Sequence, residues 1–121
     1  MKLFIVVRND LKPGLQAAQA VHAKELFSRE HPELNDKWYE RSNNVVVLQV
    51  PDCAALIDLK GRLCRQKVTL SVFEEPDLGN APTALACSDG AEHLLSSLAL
   101  ALRDAKTLPR GAILCLPAAP G

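Results

Sequence analysis

Two apolar runs separated by a long helical pattern constrain this chain more than any other feature. Lys2 to Val7 reads KLFIVV and Asn44 to Val50 reads NVVVLQV. Near-continuous runs of β-branched and aromatic residues suit strands covered on both faces. Between them, Pro13 and Gly14 close a loop, and proline is favoured in a first helical turn. From Leu15 to about Arg29, Ala18, Val21, His22, Leu26 and Phe27 then recur at helical spacings. A strand, a helix and a second buried strand form the unit that builds parallel sheets.

The remaining pattern extends this unit. Glu30 to Asn43 is polar and punctuated, and reads as a loop with a short helix around Trp38. Asp52 is placed to cap a helix carrying Leu56, Leu59 and Leu63, which Gly61 weakens without vetoing. KVTLSVF, Lys67 to Phe73, alternates, with Val68, Leu70 and Val72 on one face. TALACS, Thr83 to Ser88, is a fourth strand candidate, joined to the third by EEPDLGNAP, a link short enough for a hairpin. Asp89 and Glu92 resemble a capping box ahead of a leucine stripe at Leu94, Leu95, Leu98 and Leu102. The expected fold class is therefore α/β with a mixed sheet, one strand running antiparallel to its neighbours. Residues 1–105 read as a single domain. Residues 106–121 read as an irregular, proline-containing tail whose apolar AILCL is expected to pack against another surface, an interface between two copies included.

Bulk properties narrow the function classes. The 121 residues carry 14 basic and 14 acidic side chains. Balanced charge argues against non-specific nucleic-acid binding driven by net charge, while leaving room for a local basic patch. The apolar runs fall well short of the roughly 20 residues a membrane span needs, and the N-terminus lacks signal-peptide features. Cys53, Cys64, Cys87 and Cys115 form no C-x-x-C pair, so a zinc site is not expected; the expectation for other metals and cofactors is likewise none. Reduced thiols fit a cytoplasmic protein.

The candidate functional stretch follows the first strand. In open α/β sheets, ligands bind outside the carboxyl ends of the strands. Arg8 to Gly14 lies there and leads into a helix N-terminus, where free N–H groups and the macrodipole favour anions. Arg8 and Lys12 add full positive charges. Gln19 and His22, three apart on the helix, share a face among small alanines that let a large ligand approach. Each residue also has a plainer reading. Arg8 and Asp10 pair to fix the loop, Lys12 is solvated, and His22 is a packed polar side chain. Asp77 and Asn80, flanking Gly79, form a turn. Thr83 begins a strand. Lys60, Arg62 and Arg65, with Lys67, are either phosphate contacts for an RNA stem or the solvated end of a helix.

VVRNDLKPGLQAAQAVHA resembles the N-terminal signature of type II peptidyl-tRNA hydrolases, V-V-R-x-D-L-x-M-G-K-G-K-x-A-A-Q-x-x-H-A. The matching positions are Arg8, Asp10, Leu11, Gly14, Ala17, Ala18, Gln19, His22 and Ala23. NVVVLQVPDCAALIDLKGRL and KVTLSVF are similar to the family's next strand, helix and strand. The loop before AAQ is shorter here, and Lys12 is its remaining lysine. In place of the family's D-A-G-x-T segment stands EEPDLGNAPTALA, which is more similar to the divergent peptidyl-tRNA hydrolase domain-containing branch. The resemblance implies a three-layer α/β/α fold with a mixed four-stranded sheet and, as a partner, a second copy of the chain. It also implies cleavage of the ester between a peptide and the 3′-terminal ribose of tRNA. Lys12, Gln19, His22, Asp77 and Thr83 are then the candidate catalytic residues. Arg8, Asp10, Gly14, Asn80, Lys60, Arg62 and Arg65 are the candidates for binding the peptidyl-tRNA or RNA acceptor end. The alternatives are an inactive RNA- or protein-binding module of the same fold, and a hydrolase for another small ester or amide.

Overall fold

A computed structural model of the protein describes residues 1–102. Five strands form one mixed sheet in the order β3-β4-β1-β2-β5. β1 (Lys2–Arg8) and β2 (Asn44–Val50) run parallel, with Ile5 opposite Val47. Parallel neighbours need a long crossover. α1 (Pro13–Glu30) and α2 (Pro32–Arg41) supply it. β3 (Leu70–Glu75) and β4 (Ala81–Ser88) form the expected antiparallel hairpin, and β4 also lies antiparallel to β1.

β1 shows why its sequence is apolar throughout. Leu3, Ile5 and Val7 join one buried cluster with Ala23 and Phe27 of α1 and Trp38 of α2. Phe4 and Val6 join another with Leu56, Leu59 and Leu63 of α3 (Cys53–Arg65). Period-two alternation sends successive side chains into different clusters, so neither set tolerates polar substitution. Asp52 caps α3 as expected, its carboxylate accepting from the Ala55 amide at 2.9 Å. Asp52→Ala should cost about 1 kcal/mol of stability, read as a lowered urea midpoint at unchanged slope.

Three elements depart from the sequence reading. The polar stretch after His31 is a full ten-residue helix, with Pro32 in its first turn. Trp38 anchors it: its indole donates to the Asn44 carbonyl at 2.6 Å, and its own carbonyl accepts from Ser42 and Asn43. The leucine stripe after Asp89 does not form a long helix. α4 (Glu92–Leu95) is one turn, begun at Ala91 without a side-chain cap, and Glu92 accepts from the Gly90 amide instead. Leu94, Leu95 and Leu98 still pack on the α3 side. The chain then adds a fifth strand where four were expected: β5 (Ala99–Leu100) pairs antiparallel with Leu48 and Gln49 of β2. Without it β2 would be an open edge, and two residues suffice to shield part of that edge. The stretch from Arg103 onward, including AILCL, lies outside the described residues.

Candidate active site

The carboxyl ends of β1 and β2 share a rim with the turn between β3 and β4, because β3 ends where β4 begins and β4 is antiparallel to β1. Three segments meet there: the loop from Asn9 to Lys12, Pro51–Asp52, and the turn from Pro76 to Asn80. A 3-10 turn at Pro76–Leu78 is closed by Gly79 and Asn80 at φ +66° and +62°. The Asn80 amide donates to the Glu75 carbonyl at 2.9 Å. Glycine and asparagine tolerate this left-handed conformation, so the turn reading of Asp77 to Asn80 holds. The exposed side chains of Asp77 and Asn80 stand at the rim.

Arg8 and Asp10 form a bidentate ion pair, Nε to Oδ1 at 3.0 Å and Nη2 to Oδ2 at 2.9 Å. The third guanidinium nitrogen, Nη1, donates to the Pro82 carbonyl at 3.1 Å. Arg8 thus ties the first loop to β4. Hydrogen bonding to the guanidinium holds the Asp10 carboxyl below its usual range, and the same bond raises Arg8. A depressed carboxylate stabilises the fold above its unfolded pKa, near 3.9, and loses that contribution as pH falls through the folded value. The pair is partly exposed, so its effect is about 0–1 kcal/mol. The difference in Tm between wild type and Asp10→Asn should therefore be present at pH 6 and vanish in strong acid.

Beneath the rim lies a chain of three side chains. Thr83 Oγ1 donates to Gln19 Oε1 at 2.5 Å, and Gln19 Nε2 donates to Glu75 Oε1 at 2.8 Å. Gln19 and Thr83 are buried, at 1% and 0% exposure. Accepting from Gln19 holds the Glu75 carboxyl below the usual range, with the Asp77 amide and the nearby His22 acting in the same direction. His22 is exposed one turn further along α1, and its ring stacks on Phe73 with centroids 4.7 Å apart.

Lys12 is exposed at the N-cap position of α1, in extended backbone. That helix end has no side-chain cap and no acidic residue in its first turn. A methyl at Gly14 would meet nothing within 4 Å, so the first turn faces open space. The structure thus brings Lys12, Gln19, His22, Asp77, Asn80 and Thr83 to one end of the sheet, with Arg8, Asp10 and Gly14. It does not bring Lys60, Arg62 and Arg65 there. They lie in the second half of α3, which starts at the rim and runs away from it, and Arg62 pairs with Asp58 at 3.0 Å. Among the described residues, no group of three His, Cys, Asp or Glu side chains is placed to hold a metal ion.

Two rim residues escape the sequence reading. Glu75 passes for part of a hairpin link. Gln16, 5% exposed, donates through Nε2 to the Leu11 carbonyl at 2.6 Å and holds the loop from inside. The signal for Gln16 was in the spacing. Gln16, Gln19, Ala23 and Phe27 are the buried face of α1, whereas Val21 is two-thirds exposed and Ala18 and His22 are exposed too. A search for apolar periodicity passes over a buried face half made of glutamine.

Residues 1–103 match the family model described as Peptidyl-tRNA hydrolase PTH2. That match spans every described residue, and the chain belongs to this family, as the motif around Gln19 and His22 implies. No curated protein matches the chain.

Proposed function

We propose that the protein is an esterase that hydrolyses the bond between a peptide and the 3′-terminal ribose of tRNA. Family membership and the convergence of Lys12, His22 and the Glu75–Gln19–Thr83 chain at one rim support this reading. The uncapped end of α1 receives the acceptor-end phosphates. His22 takes a proton from water as the water oxygen attacks the ester carbonyl carbon. The Lys12 ammonium and the side-chain amide of Asn80 donate to the oxyanion that forms. The carbon–oxygen bond to ribose then breaks, and the ribose oxygen recovers the proton. Gln19 and Thr83 are too buried to touch substrate, so they act as positioning residues that fix Glu75 beside His22.

A second reading, a binding module that has lost turnover, is favoured by one observation: EEPDLGNAPTALA stands where the family carries D-A-G-x-T. Incubating the purified protein with peptidyl-tRNA separates the two. Free tRNA and a peptide acid identify the esterase. Salt-sensitive retention of intact peptidyl-tRNA identifies the module. On either reading we place the protein in the cytoplasm, consistent with the free thiols of Cys53, Cys64 and Cys87. Pairing of two copies is a further expectation from the family, tested by light scattering.

A further inference from the structure

One apolar groove lies apart from the rim. Between α1, α2 and β2, a hollow of about 260 Å³ is lined by Ile5, Ala20, Val21, Trp38, Val45 and Val47. Its flank is Lys24, whose ammonium sits 4.9 Å from the Trp38 ring centroid. Val21 and Val45 are 67% and 48% exposed, high for large apolar side chains facing one hollow. Apart from Lys24 the hollow is lined by apolar and aromatic side chains, a lining suited to an apolar occupant.

The path of the chain indicates what covers it. β5 runs alongside β2, and the Ala101 amide donates to the Val47 carbonyl at 2.9 Å. Ala101 packs on the cluster to which Ile5 and Trp38 belong, so the described chain arrives at the groove's own wall. Leu102 has φ +58°, a turn out of the strand at that point. Beyond nine intervening residues the sequence reads Ala112-Ile-Leu-Cys-Leu116, its last strongly apolar run. A linker of nine residues reaches up to about 30 Å, ample for a neighbouring surface.

We propose that the Ala112–Leu116 segment docks in cis into the groove between α1, α2 and β2, with Ile113 and Leu114 covering Val21 and Val45. The docked segment shares no residue with the esterase site, so the proposal stands or falls independently of the activity.

Crosslinking of the full chain tests it. In a background with Cys53→Ser and Cys64→Ser, Val45→Cys places a thiol in the groove opposite the native Cys115. Cys87 stays silent, because burial pushes its thiol up to about 12. A short bismaleimide should link Cys115 within the chain. The rate should exceed by about tenfold or more that for Ile57→Cys, an exposed site on α3, because docking raises the local concentration. Adding Leu114→Asp should bring the Val45→Cys rate down to that of the control. Equal rates at the two sites, or a fast rate indifferent to Leu114→Asp, would overturn the proposal. Links formed between chains would overturn it as well, assigning the groove to a second copy.

Discussion

Replacing His22 by phenylalanine is expected to lower kcat for peptidyl-tRNA hydrolysis by about 10²–10⁴-fold, the usual contribution of a positioned acid–base group. Phenylalanine keeps the ring that stacks on Phe73 and removes the imidazole nitrogens. The position is exposed, so the larger apolar side chain should shift stability by only about 0.5 kcal/mol. His22→Ala should lose the same activity, together with the modest stacking contribution. The pair of variants separates chemistry from packing: loss in both assigns the role to the imidazole, whereas loss in the alanine variant alone assigns it to the shape of the Phe73 platform. KM should change less than kcat, because the proposed phosphate contacts lie at the start of α1, about 14 Å along the helix from His22.

The second large effect falls on stability. Gln19→Leu removes the acceptor for the buried Thr83 hydroxyl, whose remaining neighbour, the Phe73 carbonyl, is 3.5 Å away. It also removes the donor to Glu75. An orphaned buried hydroxyl costs about 1–3 kcal/mol. In a domain of this size each kcal/mol lowers Tm by about 4–8 °C. Adding Thr83→Val should recover part of the loss, because a hydrogen-bonding pair replaced on both sides leaves no unpaired partner. Thermal melts of the two single variants and the double variant measure the coupling. A double variant destabilised by the full sum of the singles would show that the hydrogen bond is not the cause. Activity should remain low in the double variant, since Glu75 has still lost its anchor.

The contrast between these residues shows what the sequence could and could not disclose. β1, β2 and α3 were legible because their side chains face one choice each, apolar or not, and the periodicity records it. The hairpin was legible because Gly79 and Asn80 take conformations that few other residues accept. The fifth strand was hidden because Ala99 and Leu100 continue a leucine pattern that a helix would use equally well, and only the unshielded edge of β2 decides between them. α2 was legible only as a short helix around Trp38, because its stability comes from that one anchor and the rest of its surface is polar. At the candidate site, motif resemblance and loop position pointed to Lys12 and His22, both exposed in the structure. Gln16 was missed because a buried helical face half made of glutamine does not register as apolar, and Glu75 because its role depends on Gln19, 56 residues away. Such pairings arise from topology, which a single sequence does not state.

The roles of the two basic regions follow from the same geometry. Lys12 sits where the leading strand hands over to α1, beside the proposed ester site. Lys60, Arg62 and Arg65 lie in the second half of α3, so any contact they make with RNA is away from the proposed ester site.

Single-turnover hydrolysis of peptidyl-tRNA by the wild-type protein and by Lys12→Ala tests the central claim most directly. The account predicts release of tRNA by the wild type and a rate lower by about 10²–10³-fold in the folded variant, the loss typical when one oxyanion donor is removed. No release by well-folded wild-type protein, or equal rates for the two proteins, would contradict it.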